Sequence, residues 1–403
     1  MTEGRARSEI IQQPFSKMFF EDLRYEIAQT IHENKTYAEL SRHSGFSPEM
    51  EFSDDTLEFI PYVKTSDFKL SSNSYKKLVR TNQIDLWTVS SGTSEDVSIV
   101  GRTREDIASM YNLWRARFKE FFFYDAVTCV YNFAPASRLM KVLAKRESKI
   151  GNSQMFLACI NEAYEQKKSA VNYLVKIRPL KTIVKAISKR SKLAVAELDK
   201  EFLVRHLKKR KPSEFIVLGG NALLMNNLII NYMAQKEIRF DLDGVGAVCS
   251  GGGGWDGVKA QIKMNPINKE EWIENNYKIY GIKPDFIRDI YGFDESSTAF
   301  GGHWSKKYKE FIMHCPLSSR IVVRDLEKLN PVKPGGIGLI EVVSPYAVKG
   351  YVGAAVLGDD IVRLLGDNRH TCLECGYKGA SFIILGRSKA AAGRSCASLL
   401  KWS

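Results

Sequence analysis

Short apolar runs that stop on glycine recur along this chain, and they constrain its fold more than any other feature. Phe215-Ile216-Val217-Leu218-Gly219-Gly220-Asn221 reads as a buried strand closed by a glycine turn, with a helical stretch from Leu223 to Met233 behind it. Val245 to Ser250 leads into Gly251-Gly252-Gly253-Gly254-Trp255, Ile287 to Ile290 ends in Tyr291-Gly292, and Phe382 to Leu385 ends in Gly386-Arg387. Uninterrupted aliphatic runs suit strands buried on both faces, and helical stretches between them make the class α/β. Glycines at a strand's end let the backbone come close to a flat ligand. Trp255 argues against a mobile surface loop, because an indole is seldom left on a flexible tip. The helix that a dinucleotide-binding turn needs straight after its glycines does not open cleanly, and no G-x-x-x-x-G-K-[ST] loop is present, so neither of those two nucleotide folds is expected.

The rest of the chain fits around these units. Phe15, Phe19, Phe20, Leu23 and Ile27 mark residues 9–45 as mainly helical. Leu57 to Val63 is extended, as a residue preceding Pro61 requires. A helix from Arg104 leads to Phe121-Phe122-Phe123-Tyr124, which reads as a strand, and Asn132 to Pro135 reads as a loop. With 403 residues, 44% of them hydrophobic, the chain can bury a large core. No apolar run reaches the length of a membrane span, Met1 to Glu9 lacks a signal-peptide core, and seven scattered cysteines do not form a disulfide framework. A soluble cytoplasmic protein is expected.

Charge is concentrated in one place. Residues 176–211 hold thirteen Lys/Arg against three acids, which is +10 of the net +13. The segment reads as helices with apolar faces (Leu174, Ile177, Ile183, Val184, Ile187, Leu198, Phe202, Leu203) and a basic surface. Such a face is either plainly solvated or a dock for an acidic partner such as an acyl carrier protein. No groove-reading motif or aromatic stacking pattern accompanies the charge, so nucleic acid is not the expected partner.

Four further motifs carry chemistry. Ser90-Ser91-Gly92-Thr93-Ser94, with Ser98, follows the strand-like Leu86-Trp87-Thr88-Val89. Hydroxyls around a glycine turn read either as an ordinary turn or as a cradle for phosphate oxygens. Tyr291-Gly292-Phe293-Asp294-Glu295 offers an aromatic face and a carboxylate suited to Mg²⁺. An acid in Asp359-Asp360-Ile361-Val362-Arg363 can take both hydroxyls of a ribose. Gly386-Arg387 supplies a cation.

In this order the motifs resemble those of the adenylate-forming superfamily of acyl-CoA synthetases, adenylation domains and luciferases. Within it the chain resembles most the LuxE-like acyl-protein synthetases of bacterial bioluminescence, and more distantly phenylacetate–CoA ligase-like enzymes. The likeness runs from about Phe59 to Cys396. It implies a large adenylating domain of β-sheets with flanking helices and a small β-barrel, over 1–385, and a vestigial tail over 386–403 in place of a lid domain. It also implies that ATP and Mg²⁺ activate a fatty or aromatic acid as an acyl-adenylate, which then passes to a thiol. By that resemblance Ser90, Ser91, Gly92, Thr93, Ser94 and Ser98 hold phosphates, and Gly252, Gly253 and Gly254 line the adenine and acyl pockets. Tyr291 stacks on adenine beside Gly292 and Asp294, Glu295 ligates Mg²⁺, and Asp360 and Arg387 take the ribose. Cys396, beside Arg394, is the implied acyl acceptor; adenylation would run without the missing lid's lysine, or Lys389 or a partner would replace it. Acyl carrier protein or a reductase-like partner would dock on 176–211. A scaffold without catalytic activity in an acyl-transfer complex is the alternative reading.

Cys372-Leu373-Glu374-Cys375 is half of a zinc knuckle, and a structural zinc needs four ligands. Cys315, Cys372 and Cys375 are the candidate set, with His314 and His370 nearest to complete it. Cys129, Cys159 and Cys249 read as core residues.

Overall fold

The computed structural model describes residues 14–71, 73–90, 97–135, 149–167, 169–177, 194–259, 262–388 and 400–402. The first strands are β1 (Val63–Lys64), β2 (Leu86–Val89), β3 (Ile99–Arg102), β4 (Cys129–Pro135), β5 (Lys149–Gly151), β6 (Ala170–Ile177) and β7 (Ala194–Leu198). The middle ones are β8 (Ile216–Gly220), β9 (Gly246–Gly251), β10 (Val258–Lys259), β11 (Ile262–Lys263) and β12 (Ile287–Tyr291). The last are β13 (Phe300–Ser305), β14 (Glu310–His314), β15 (Arg320–Arg324), β16 (Ile337–Val343), β17 (Ala355–Gly366), β18 (Ser381–Arg387) and β19 (Leu400–Trp402).

Among the described residues, fourteen strands share one sheet. Its order is β15-β16-β17-β18-β14-β13-β12-β9-β8-β4-β6-β7-β19, with β1 joined to β17. The sheet has two halves. β6, β4, β8, β9 and β12 run parallel. From β12 through β13, β14, β18, β17 and β16 to β15 every neighbour is antiparallel. The parallel half is buried on both faces, as its aliphatic runs require. Ile216, Leu218 and Val248 pack with the helical segments 222–235 and Lys269–Tyr280. Val217, Ala247 and Cys249 pack on the other face with the helices Arg104–Phe121 and Asn152–Gln166.

Three local expectations are corrected. Phe121 ends the helix that starts at Arg104, and Phe122 to Tyr124 form its cap and turn rather than a strand. The aromatic run follows the helix's own spacing, with Phe118 packed on Phe122 at 5.5 Å between ring centres. Asn132 to Pro135, expected as a loop, continues β4. Leu174 and Ile177 lie in β6 and Leu198 in β7, so these parts of the basic segment are strands. The apolar run Ala170 to Ile177 is held by pairing with β4, which overrides its helix-like spacing. Lys200–Lys208 is helical, as expected, with Leu203 and Leu207 buried; residues 178–193 lie outside the described residues. None of the described helices is long and apolar enough to cross a membrane.

Candidate active site

The glycine-terminated strands end side by side. The carboxyl ends of β4, β8, β9 and β12 bring Asn132–Pro135, Gly219–Ala222, Gly251–Trp255 and Tyr291 to the edge where open α/β sheets bind ligands. A Cβ on Gly220 would lie 2.6 Å from the Phe133 Cβ, and one on Gly251 would lie 3.1 Å from the Ile290 carbonyl oxygen. These glycines therefore let neighbouring strand ends close up. Gly252, Gly253 and Gly254 have φ of 78°, 63° and 89°, a left-handed run that glycine adopts without the steric cost a side chain would bring. Asn221 fixes this turn: its Nδ2 donates to the Gly251 and Gly253 carbonyls at 3.0 and 2.7 Å, and its Oδ1 caps the following helix. Trp255 packs near Trp272 and Phe311, with ring centres 6.3 and 6.2 Å away.

Next to this turn the structure unites three residues distant in sequence. Asp360 on β17 stands opposite Arg387 on β18. The Tyr291 hydroxyl donates to Asp360 Oδ2 at 2.7 Å, and Arg387 Nε donates to Asp360 Oδ1 at 3.0 Å. Burial and the Asp360 charge push the Tyr291 phenol well above its ordinary range, so it stays a donor. Its ring lies on Phe300 and Phe382, at 5.5 and 6.1 Å. Asp360 is largely buried, yet each carboxylate oxygen keeps a lone pair beyond the one bond it accepts, which suits a vicinal diol.

Glu295 lies just beyond, 4% exposed. Lys69 Nζ is 3.8 Å from its Oε1 and also bonds Ser98 Oγ. Burial raises the Glu295 carboxyl above its ordinary range, while Lys69 and Ser98 counteract. A buried carboxylate whose charge is only partly offset fits a further cation. The Ser90 Oγ accepts from the Ser98 N–H at 2.8 Å, and the Ser90 N–H donates to the Ser98 carbonyl at 2.9 Å. The base of the hydroxyl loop is thereby pinned beside Glu295; Ser91, Gly92, Thr93 and Ser94 lie outside the described residues. Asp294 is buried, and its carbonyl accepts from Arg102 Nη2 at 2.9 Å. A Cβ on Gly292 would lie 3.0 Å from the Thr298 carbonyl oxygen.

Lys69, Arg102 and Asn221 carry more of this geometry than their sequence context shows. Arg102, fully buried, also bonds Thr88 Oγ1 and Ser297 Oγ and lies over the Tyr351 ring, so it clamps the Asp294–Ser297 turn to the β2–β3 hairpin. An asparagine directly before a helix was a legible capping signal for Asn221. Nothing local marks a lysine or arginine as buried.

The cysteine reading needs correction. Cys315 follows His314 along an extended chain, so the two side chains leave opposite faces. Cys315 is buried away from the Cys372–Cys375 turn, and the ring of His370 packs over Gly366. The group that converges is His303, His314, Cys372 and Cys375, whose ligand atoms all lie within 4.8 Å of one another. Cys396 and Lys389 lie outside the described residues.

The model of the acyl-protein synthetase family named LuxE matches residues 128–402. The chain belongs to that family. Among curated proteins none matches it. Solved structures with the same fold include an open conformation of 2-hydroxyisobutyryl-CoA ligase in complex with 2-HIB-AMP and CoA. The TM-score is 0.58 at 15% identity, covering 92% of this chain and 74% of the ligase. The same ligase in its thioesterification state aligns at TM-score 0.57 and 16% identity, over 92% and 68% of the two chains. The fold of the LuxE family member described here is thus the adenylate-forming one.

Proposed function

We propose that the protein activates a carboxylic acid with ATP and passes the acyl group to a thiol. The observation that carries this reading is the contact of Tyr291, Asp360 and Arg387 beside the Gly251–Gly254 turn. An aromatic ring, a carboxylate with spare lone pairs and an exposed cation form a nucleoside-shaped set of partners.

In the first step a carboxylate oxygen of the acid attacks the α-phosphorus of ATP. The bond from that phosphorus to the bridging oxygen breaks, and pyrophosphate leaves with the electron pair. Two anions must be brought together, so positioning and charge neutralisation supply most of the acceleration. Asp360 and Arg387 fix the ribose, Tyr291 and the glycine turn flank the base, and Ser90 and Ser98 serve the departing phosphates. Glu295 would hold Mg²⁺, which neutralises phosphate charge when bound. Lys69, tethered to Ser98 and Glu295, adds a fixed positive charge at the same place. In the second step a thiolate attacks the acyl carbon and AMP leaves. The acceptor is Cys396, a carrier-protein thiol or CoA; the basic 176–211 stretch offers an acidic carrier a dock.

A pyrophosphate-release screen over fatty and aromatic acids, followed by intact mass measurement, tests this. Acid-dependent release, with an acyl adduct lost in Cys396→Ser, is the expected result. Tight ATP binding with no release for any acid would instead support the scaffold reading.

A further inference from the structure

Two histidines and two cysteines sit together on the sheet face opposite the Tyr291 ring. In the β12–β13–β14–β18 ladder, Tyr291 pairs with Phe300, Gly301 with His314, and His314 with Ser381. Side chains alternate along a strand. Tyr291, Phe300 and Phe382 therefore share one face, and His303 and His314 share the other. His303 and His314 are diagonal neighbours in the β13–β14 hairpin, with parallel rings 5.1 Å apart. Their Nδ1 and Nε2 atoms face each other at 2.9 Å, and the Cys375 sulfur is 3.3 Å from His314 Nε2.

The cysteines come from the turn just before β18. The Gly376 N–H donates to the Cys372 carbonyl and the Cys372 N–H to the Tyr377 carbonyl, both at 2.8 Å. Gly376 has φ of 74° and Thr371 bridges to Lys378, which closes a tight knuckle. Glu374 Oε2 stands 3.7 Å from the outer nitrogen of His303, and its Oε1 accepts from Ser305 Oγ. The approach is short of a hydrogen bond; closing it would give the carboxylate–histidine arrangement that orients a metal-binding imidazole.

We propose that His303, His314, Cys372 and Cys375 bind one Zn²⁺ and that the ion staples the β13–β14 hairpin to the knuckle that launches β18. Two nitrogens and two thiolates in a compact group select zinc among common divalent metals. A tetrahedron with ordinary zinc bond lengths has edges of about 3.3 Å between nitrogens and about 3.8 Å between sulfurs. The observed spacings reach it by small rotations. Four protein ligands leave no open position, so the ion is structural. Its effect on the other face is indirect: it fixes the register of β18, which carries Phe382 and Arg387.

The test is metal content of the full chain purified without chelators or metal-affinity resin. About one zinc per chain is expected, and cobalt replacement should give thiolate-to-metal charge transfer with tetrahedral visible bands. Cys375→Ser should lose at least tenfold in zinc retention, whereas Cys315→Ser and His370→Ala should keep the full complement. If Cys375→Ser does not fold, His303→Cys serves, since three thiolates should retain zinc and strengthen the cobalt charge-transfer band. Metal-free wild type that takes up neither zinc nor cobalt on titration overturns the proposal. So does zinc that survives in folded Cys375→Ser and disappears in Cys315→Ser. None of these readouts depends on catalysis, so the proposal stands or falls separately from the activity.

Discussion

The two faces of the β12–β13–β14–β18 ladder do opposite things with the same backbone. One face carries the Tyr291–Phe300–Phe382 rings and, at its rim, Asp360 and Arg387, with Arg387 nearly half exposed. The other carries His303 and His314, closed over by the Arg104–Phe121 helix, whose Arg117 bonds the His314 carbonyl at 2.7 Å and whose Phe121 ring lies 5.6 Å from the His314 ring. The first face keeps polar atoms with spare bonding capacity at an open edge. The second gathers its ligand atoms inward on one another. Openness separates a face suited to taking up small molecules from one suited to holding a structure together.

The comparison is broken most severely at its open face. Asp360→Ala removes the acceptor of both Tyr291 and Arg387, and nucleotide-dependent turnover should fall on the order of 100-fold or more. A calorimetric ATP titration beside pyrophosphate kinetics checks it. Unchanged affinity would remove Asp360 from the site. Glu295→Gln should cost about 10- to 100-fold in kcat and raise the Mg²⁺ needed for half-maximal rate; a magnesium titration of both proteins reads this directly. Arg102→Lys keeps the charge but loses the forked donors to Thr88, Ser297 and Asp294. A loss of about 2–3 kcal/mol in denaturant unfolding is expected.

A pH effect sharpens the same contrast. Asp289, paired across the ladder with Ser250, is pushed up from 3.8 to about 6 by burial, with Lys269 and the Ser250 hydroxyl opposing. Its folded pKa exceeds its unfolded one, so the folded state binds the extra proton. Stability should therefore fall as pH rises from about 4 to about 6, by on the order of 2–3 kcal/mol, and level off above. Asp289→Asn should flatten that part of the stability profile; an identical slope in the variant would exclude Asp289 as its source. The smallest expected effect is Gly253→Ala. The space around Gly253 is open, so only the left-handed φ opposes a side chain, at about 1 kcal/mol. Thermal unfolding would detect a shift of a few degrees at most.

How far the sequence discloses these faces follows from what kind of physics each needs. Strands such as Ile216–Gly220 and Ile287–Tyr291 are legible because continuous burial demands continuous apolar residues. The glycine turns are legible because glycine adopts left-handed torsions without steric cost. The pairing of Asp360 with Tyr291 depends on β17 returning to the sheet two strands beyond β14, which no local pattern specifies. The motif resemblance supplied that association. The proposed metal ligands show the same limit: Cys372-x-x-Cys375 is visible as a turn, but the histidines beside it come from a hairpin some sixty residues earlier. Their choice over Cys315 follows from strand alternation once the register is known. Phe121–Tyr124 misleads because an aromatic run fits a strand and a helix end equally well, and the packing of Phe118 on Phe122 decides.

The proposed activity depends most on Asp360 serving a bound nucleotide through the open face. The most direct measurement is acid-dependent pyrophosphate release by the wild type and Asp360→Ala, both shown to be folded. Release for at least one fatty or aromatic acid, falling on the order of 100-fold in the variant, is the predicted result. Equal release by the two proteins would contradict the account.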